Sequence, residues 1–313
     1  MKIAITGVAG FVGSNLADQL LLKNHCIVGI DNFSTGYKNH ILQHKDNKNF
    51  NFHKLDLSSE FDKNILSDCD CVIHLAALAD IRYNKNNFKE CLNKNVVATN
   101  NVIEACVENN VKKVLFASTC SVYGDVLSFP TKETEVKNQT SVYSSTKIAS
   151  EMLLEGFANT FGFRAYTMRF VSMLGARYSH GHIFDFTKKI LNNEKLEILG
   201  NGDGIKSYLH IKDAVDAIET LIEYDSVNNY EAFNVGHSDI IKLKYSVKTI
   251  VEYLNYKGEV NFGEGTSGWI GDVPVISPSI EKIQKIGWNP KYSIKKGITD
   301  TIDYLVDNQW IIN

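Results

Sequence analysis

The chain has 313 residues, 44% of them hydrophobic and 22% charged, with a formal charge of −3; that length supports one large α/β domain or two smaller ones, each with a true core. Basic residues stand only in ones and twos, such as Lys112-Lys113 and Lys188-Lys189, so no nucleic-acid footprint is present. No apolar run approaches the ~18 residues that span a bilayer, and residues 1–7 read as strand and turn rather than a leader, so a cytoplasmic protein with no membrane or nucleic-acid partner is expected.

In chain order, residues 3–6 read as a strand, 10–23 as a helix, and 26–31, 50–55 and 71–76 as further strands. Residues 88–109 read as one helix, from apolar positions 92, 96, 97, 103 and 107. A fifth strand over 114–118, a helix over 143–161 and a sixth strand over 164–169 follow. The alternation predicts an α/β fold: a Rossmann-type doubly wound parallel sheet with helices on both faces, occupying residues 1–168. Residues 169–313 then form a smaller, mixed α/β lobe for substrate, with some segments returning to the first domain. There, helices are expected over 184–192, 212–224, 247–254, 279–286 and 294–306, and short strands over 196–199, 207–211 and 232–235. Six cysteines (26, 69, 71, 91, 106, 120) lack zinc-type spacing and point to reduced thiols and no metal.

Thr6-Gly7, Asp31, Ala76-Ala77 and Ser118-Thr119 all fall at predicted strand carboxyl ends, where ligands of such sheets bind. Gly7-Val8-Ala9-Gly10-Phe11-Val12-Gly13 follows a strand and opens a helix. Glycines there let the backbone approach a pyrophosphate, and the helix start supplies amide donors and the positive dipole end. Asp31, after the next strand, can accept from adenosine ribose hydroxyls and repel a 2′-phosphate, which favours NAD over NADP. Tyr143 and Lys147 are four apart, one above the other on a helix. A cation near a phenol favours phenolate, so Tyr143 is a candidate base for a sugar hydroxyl.

The spacing of three between the glycines, with Asp31-Asn32-Phe33-Ser34-Thr35-Gly36, Asp56-Leu57, His74-Leu75-Ala76-Ala77, Asn95, Thr119, Tyr143 and Lys147, resembles the extended short-chain dehydrogenase/reductases of the sugar-nucleotide epimerase/dehydratase type. The likeness continues through Gly200-Asn201-Gly202-Asp203-Gly204, Tyr208-Leu209-His210-Ile211-Lys212-Asp213 and Trp269-Ile270-Gly271-Asp272-Val273-Pro274, closest to UDP-glucose 4-epimerase-like proteins. It implies that Gly7, Gly10, Phe11, Val12 and Gly13 hold the pyrophosphate of NAD. Asp31, Asn32 and Ser34 would hold the adenosine ribose and nearby phosphate, and Asp56 and Leu57 would flank adenine; for Asp56 a helix N-cap is the structural alternative. Ala76 and Ala77 would let the cofactor pass, and Lys147 would both bind the nicotinamide ribose and acidify Tyr143.

The implied activity is oxidation at C4 of a nucleotide-linked sugar, with Thr119, Tyr143 and Lys147 catalytic. A 4-epimerase returns the hydride to the other face of the 4-keto sugar; a C4 dehydrogenase releases the ketone; a non-catalytic NAD-binding protein does neither. The family's dehydratases carry Asp-Glu after the catalytic threonine, where this chain has Cys120-Ser121, so dehydration is not expected and Cys120 reads as a packed thiol. Arg169-Phe170-Val171-Ser172-Met173-Leu174-Gly175-Ala176-Arg177 carries Ser172 where the family has asparagine, and Ser267 replaces an arginine. The substrate is therefore left open between UDP- and GDP-linked sugars, with Arg82, Thr119, Ser172, Arg177, His180 and Lys206 as its candidate ligands. His74 reads as a structural histidine. Family members dimerise through two helices, so a homodimer is expected, with Ile103, Val107, Met152 and Leu153 serving core or interface.

Overall fold

The computed structural model describes residues 1–80, 86–126, 128–265, 273 and 275–312. The chain forms two compact units. One comprises Met1–Val122, Ser141–Arg169 and Val215–Phe233; the other comprises Tyr123–Thr140, Phe170–Ala214 and Asn234–Asn313.

The first unit is built on a seven-stranded sheet. Its strands are β1 (Lys2–Thr6), β2 (Cys26–Asp31), β3 (Phe50–Lys54), β4 (Cys71–His74), β5 (Lys113–Thr119), β6 (Arg164–Phe170) and a last strand, Tyr230–Val235. They lie in the order Tyr230–Val235, β6, β5, β4, β1, β2, β3. The pairings β1–β2, β2–β3, β1–β4 and β4–β5 are parallel. Because β1 has β2 on one side and β4 on the other, strand order reverses beside it. The carboxyl ends of β1 and β4 therefore border the kind of crevice in which α/β sheets take ligands.

Ile3, Ala4 and Ile5 of β1 are all fully buried, so both faces of this central strand are covered. Ala4 packs with Val72, Val114 and Phe116 under residues of the helices Ala98–Glu108 and Val142–Phe161. The helix Phe11–Leu22 buries Leu16, Ala17 and Leu20 and packs on β1 and β2. Each buried aliphatic side chain of this kind contributes about 1.5–3 kcal/mol relative to exposure. The helix Val142–Phe161 begins where Ser141 Oγ accepts from Ser144 N at 3.1 Å and ends at Gly162, whose φ is +77°. A serine cap and a left-handed glycine thus fix both ends.

The single helix expected over 88–109 is divided into Phe88–Leu92, a π-helical turn Asn93–Val97, and Ala98–Glu108. The Asn95 carbonyl at that turn accepts from two side chains, Thr99 Oγ1 at 2.5 Å and Ser150 Oγ at 3.0 Å. Inserting one residue at such a turn rotates the flanking faces, as π turns at functional sites do. The apolar positions divide with it: Ile103 is core, whereas Leu92 and Val97 are 49% and 37% exposed.

In the second unit, Ser172–Leu174 pairs in parallel with Tyr208–His210, and Val260–Phe262 with Leu196–Ile198. Ile205–Lys206 lies between Ile241–Lys242 and Val275–Ile276. Strands of two or three residues are too short for a period to be legible, so several had no sequence signal. The helices His182–Leu191, Leu243–Tyr253 and Ile294–Asp307 pack mutually through buried Ile183, Ile250, Ile298 and Ile302. Among the described residues no helix is long and apolar enough to cross a membrane, and no His, Cys, Asp and Glu group is arranged to hold a metal.

Candidate active site

At the end of β1 the chain turns at once. Gly7 has φ +70°, and a Cβ there would lie 2.9 Å from Ala76 N. At Gly13 a Cβ would lie 2.2 Å from Gly7 O, which no side chain tolerates. Gly10 precedes the helix Phe11–Leu22 without a side-chain cap, and the first turn holds no carboxylate. The amides of Phe11, Val12 and Gly13 thus open a helix start suited to a phosphate. Asp31 ends β2 and is 8% exposed. Its carboxylate accepts from Ala9 N at 2.9 Å and from Phe33 N at 2.7 Å. Burial pushes its pKa up, and these N–H donors oppose the shift. Asp31 therefore braces the glycine turn, and its carboxylate keeps acceptor capacity for a ribose hydroxyl. Asn32 Oδ1 accepts from Ser34 N at 2.9 Å, so this pair shapes the loop after β2.

Asp56 caps no helix. It accepts from Ser58 N at 3.0 Å and Ser58 Oγ at 2.7 Å, and its other oxygen pairs with Lys94. Burial pushes the carboxyl up, but Lys94 and Ser58 outweigh it and hold the pKa at about 2. Leu57 is buried, with its carbonyl accepting from Asn101 Nδ2 at 2.9 Å. Ala76 and Ala77 are half-buried just past β4. Leu75 N and Ala76 N both donate to Thr6 Oγ1, at 3.2 and 3.1 Å. Thr99 donates to the Asn95 carbonyl, so it accepts from His74 Nε2 at 3.0 Å. His74 Nδ1, 2.7 Å from Thr6 Oγ1, is then the acceptor of the Thr6 hydroxyl. Both ring nitrogens are spent, and burial pushes the His74 pKa down to about 3. His74 is a neutral strut between the ends of β1 and β4 and the π turn.

Thr119 ends β5. Its Oγ1 accepts from Ser121 N at 3.2 Å and lies 3.1 Å from Ser121 Oγ. The buried Cys120 thiol donates to the Arg169 carbonyl at 3.1 Å, which makes it a packed group. Asn95 reaches the helix Val142–Phe161: its Nδ2 donates to Thr146 Oγ1 at 3.0 Å, and Thr146 donates to the Tyr143 carbonyl at 2.7 Å. Asn95 Oδ1 accepts from Leu78 N at 2.7 Å. The turn bearing Tyr143 is thereby fastened to the π turn.

Tyr143 is half-buried, and Lys147 is 3% exposed. Lys147 Nζ lies 4.3 Å from the centroid of the Phe116 ring and, among the described residues, makes no hydrogen bond or ion pair. Burial pushes Lys147 down to about 7, opposed by Glu151 one turn further along. Burial also pushes the Tyr143 phenol up. The spacing of Tyr143 and Lys147 leads one to expect a lowered phenol; in the folded chain burial raises it instead. Glu151 itself accepts from Ser118 Oγ at 2.5 Å and from Arg169 Nη2 at 2.7 Å. The sequence reading gave no role to Asn95, Phe116, Ser121 or Glu151. Asn95 stood among the residues that carry the family resemblance, Ser121 in the pair Cys120-Ser121, and Glu151 at a spacing of four from Lys147; Phe116 had no signal.

In the second unit Ser172 is exposed on its short strand, and Arg177 has φ +71°. The exposed His180 ring stacks on Tyr178 at 6.0 Å. Lys206 donates to the Val273 carbonyl. His182 is bonded through Nε2 to Ser246 Oγ at 2.9 Å. Arg82, Ser267, Trp269, Ile270, Gly271, Asp272 and Pro274 lie outside the described residues.

Comparison with known proteins matches residues 3–236 to the family model described as "NAD dependent epimerase/dehydratase family". An uncharacterized UDP-glucose epimerase of Bacillus subtilis, YtcB, is 30% identical, covering 97% of this chain and 98% of the relative. A crystal structure of UDP-galactose 4-epimerase is 31% identical with a TM-score of 0.86, covering 99% of this chain and all of the other. UDP-glucuronic acid 4-epimerase from Bacillus cereus, in complex with UDP-glucuronic acid and NAD, is 25% identical with a TM-score of 0.91, covering 98% and 99%.

Proposed function

From the premise that this chain belongs to the NAD-dependent epimerase/dehydratase family and is an NAD-dependent enzyme acting on a nucleotide sugar, we propose that it is a UDP-sugar 4-epimerase. The observation that carries the reading is Lys147: a buried ammonium with no oxygen acceptor among the described residues, one turn from Tyr143 and against the strand that ends in Thr119. UDP as the nucleotude carrier is supported by the UDP-sugars named for the neighbours.

The residues fit a dinucleotide. Gly7 and Gly13 form a cradle that a Cβ would fill, the adjoining helix start carries no carboxylate, and Lys147 supplies unspent donors. Gly7, Gly10, Phe11, Val12 and Gly13 would hold the pyrophosphate, and Asp31 the adenosine ribose, with Asn32, Ser34, Asp56, Leu57, Ala76 and Ala77 lining the remainder. When bound, NAD supplies reversible hydride acceptance at the sugar C4.

The chain's own work is with the proton. Thr119 Oγ1, oriented by the Ser121 N–H, holds the C4 hydroxyl. Tyr143 takes the hydroxyl proton as the C4–H hydride departs, leaving a ketone at C4. The proton acceptor is the phenolate form of Tyr143, which the Lys147 ammonium favours and which becomes a neutral phenol once the proton has moved. After the sugar turns, Tyr143 returns its proton to the C4 oxygen as the hydride comes back to the opposite face of C4, so no net oxidation results. Cys120 donates to a carbonyl and Ser121 to the Thr119 region, so neither does the acid–base work of dehydration.

The substrate ligands proposed are Arg82, Ser172, Arg177, His180 and Lys206. A homodimer is proposed through the helices Phe88–Leu92 and Val142–Phe161, where Phe88, Leu92, Met152 and Phe161 are exposed. Ile103 is core, leaving Met152 as the exposed member of the four positions named from sequence.

The test is incubation with UDP-glucose, UDP-galactose, UDP-glucuronic acid and the N-acetyl sugars, with products resolved by NMR. C4 epimers without net NADH formation are expected. Net NADH with a released ketone would instead mark a C4 dehydrogenase, and no turnover of any nucleotide sugar would overturn the proposal.

A further inference from the structure

Resting on the reading of Lys147 as a site residue, we propose that Phe116 is a positioning residue, whose ring face seats the Lys147 ammonium in place of any oxygen acceptor. Phe116 lies on β5, is 1% exposed, and has its centroid 4.3 Å from Lys147 Nζ. The His74 ring stacks on Phe116 at 5.7 Å and 28°. Since both His74 nitrogens are bonded, to Thr6 and Thr99, the ring behind Phe116 is fixed as well.

Among the described residues, the groups around Lys147 leave the ring as its only close partner. On its own helix are Tyr143 and Glu151; from the helix Phe88–Leu92 comes Cys91; from β4, His74; from β5, Phe116; and Glu151 in turn is held by Ser118 of β5 and Arg169 of β6. Burial keeps the Cys91 thiol, the Tyr143 phenol and the His74 imidazole neutral. The remaining charges, Glu151 and Arg169, are paired at 2.7 Å. Glu151 is also the acceptor of Ser118 Oγ and Arg169 Nε, which holds its carboxylate away from Lys147.

A carboxylate or carbonyl at this place would consume N–H donors. A ring face attracts the cation without using one, so all three donors stay available for the hydroxyls of a bound ribose and for the phenol. The attraction also favours the charged form, against the desolvation that lowers it.

The test uses the full chain with ¹⁵N-labelled lysine, the Lys147 Nζ signal being assigned by its loss in Lys147→Met. In Phe116→Leu the Nζ titration midpoint is expected to fall by about 0.5–1 pH unit. The Kd for NAD, read by calorimetry, is expected to rise about three- to tenfold. Phe116→Tyr, which keeps the ring, should stay within about twofold. Replacing Phe116 by mono-, di- and trifluorinated phenylalanine weakens the ring's hold on a cation while keeping its shape. A stepwise fall in the midpoint is expected there, and this series decides the matter if Phe116→Leu does not fold. A midpoint that stays constant through the fluorinated series overturns the proposal. Inactivity on every nucleotide sugar would leave this titration readable, so the two readings fail separately.

Discussion

The Glu151 carboxylate and the Arg169 guanidinium form an ion pair 2.7 Å long, with side chains 2% and 3% exposed, one helical turn beyond Lys147. Breaking it from one side strands a buried charge, whereas removing both charges does not. Arg169→Met is therefore expected to cost about 3–5 kcal/mol in urea unfolding. The double variant Arg169→Met with Glu151→Leu should regain most of that loss. A double variant no more stable than the single one would refute the pair as a self-contained unit.

Tyr143→Phe removes the proton acceptor and keeps the ring. Turnover should fall by about 10²–10⁴-fold, while the Kd for NAD changes little. Thr119→Val, which leaves the Ser121 amide without its acceptor, should lower kcat as well, by about 10²-fold. Steady-state kinetics beside calorimetry separates these effects, and unchanged turnover in Tyr143→Phe would sink the mechanism.

Burial holds Lys147 at about 7, below its unfolded value of 10.5. Between those values the unfolded chain binds the extra proton, so stability rises with pH across that window. The cost of the buried ammonium is full below about 7 and is relieved toward 10.5. Lys147→Met should accordingly be more stable than the parent at pH 6.5, by about a few kcal/mol, with a higher unfolding temperature, and the gap should close by pH 10. Thermal unfolding at the two pH values, with no cofactor added, checks the sign.

Ribose hydroxyls offered to Lys147 favour its charged form and raise its pKa on binding. NAD binding at pH 8 should therefore take up a fraction of a proton. Calorimetry in buffers of different ionisation enthalpy measures that uptake. Equal uptake in Lys147→Met would assign the proton to another group.

At Gly13 a Cβ would sit 2.2 Å from Gly7 O, and at Gly7 the positive φ adds strain to a 2.9 Å approach to Ala76 N. Gly13→Ala should thus shift the whole turn and weaken NAD binding by about tenfold or more, against little change for Gly156→Ala, whose Cβ meets nothing within 4 Å. Equilibrium dialysis against NAD compares the two.

Local signals were legible because they act over a few residues. The alternation of strand and helix, the glycine turn after β1, Asp31 at the end of β2, and the spacing of Tyr143 and Lys147 all follow from backbone periods and steric need. The division of the helix over 88–109 was hidden, since its cause is Ser150 reaching the Asn95 carbonyl from 55 residues away. The role of Asp56 was equally hidden, because Lys94, 38 residues on, decides what it binds.

By itself, the sequence determined which groups stand at the strand ends, Gly7, Asp31, Ala76 and Thr119, and that Tyr143 and Lys147 share a helix face. Only the tertiary structure decided their electrostatic state. Spacing puts a lysine one turn from a phenol, but burial between β5 and the helix Val142–Phe161 desolvates Lys147, and that outweighs the attraction of Glu151. The sequence names the candidate groups; the fold sets which of them are charged, because burial depends on contacts between segments distant in the chain.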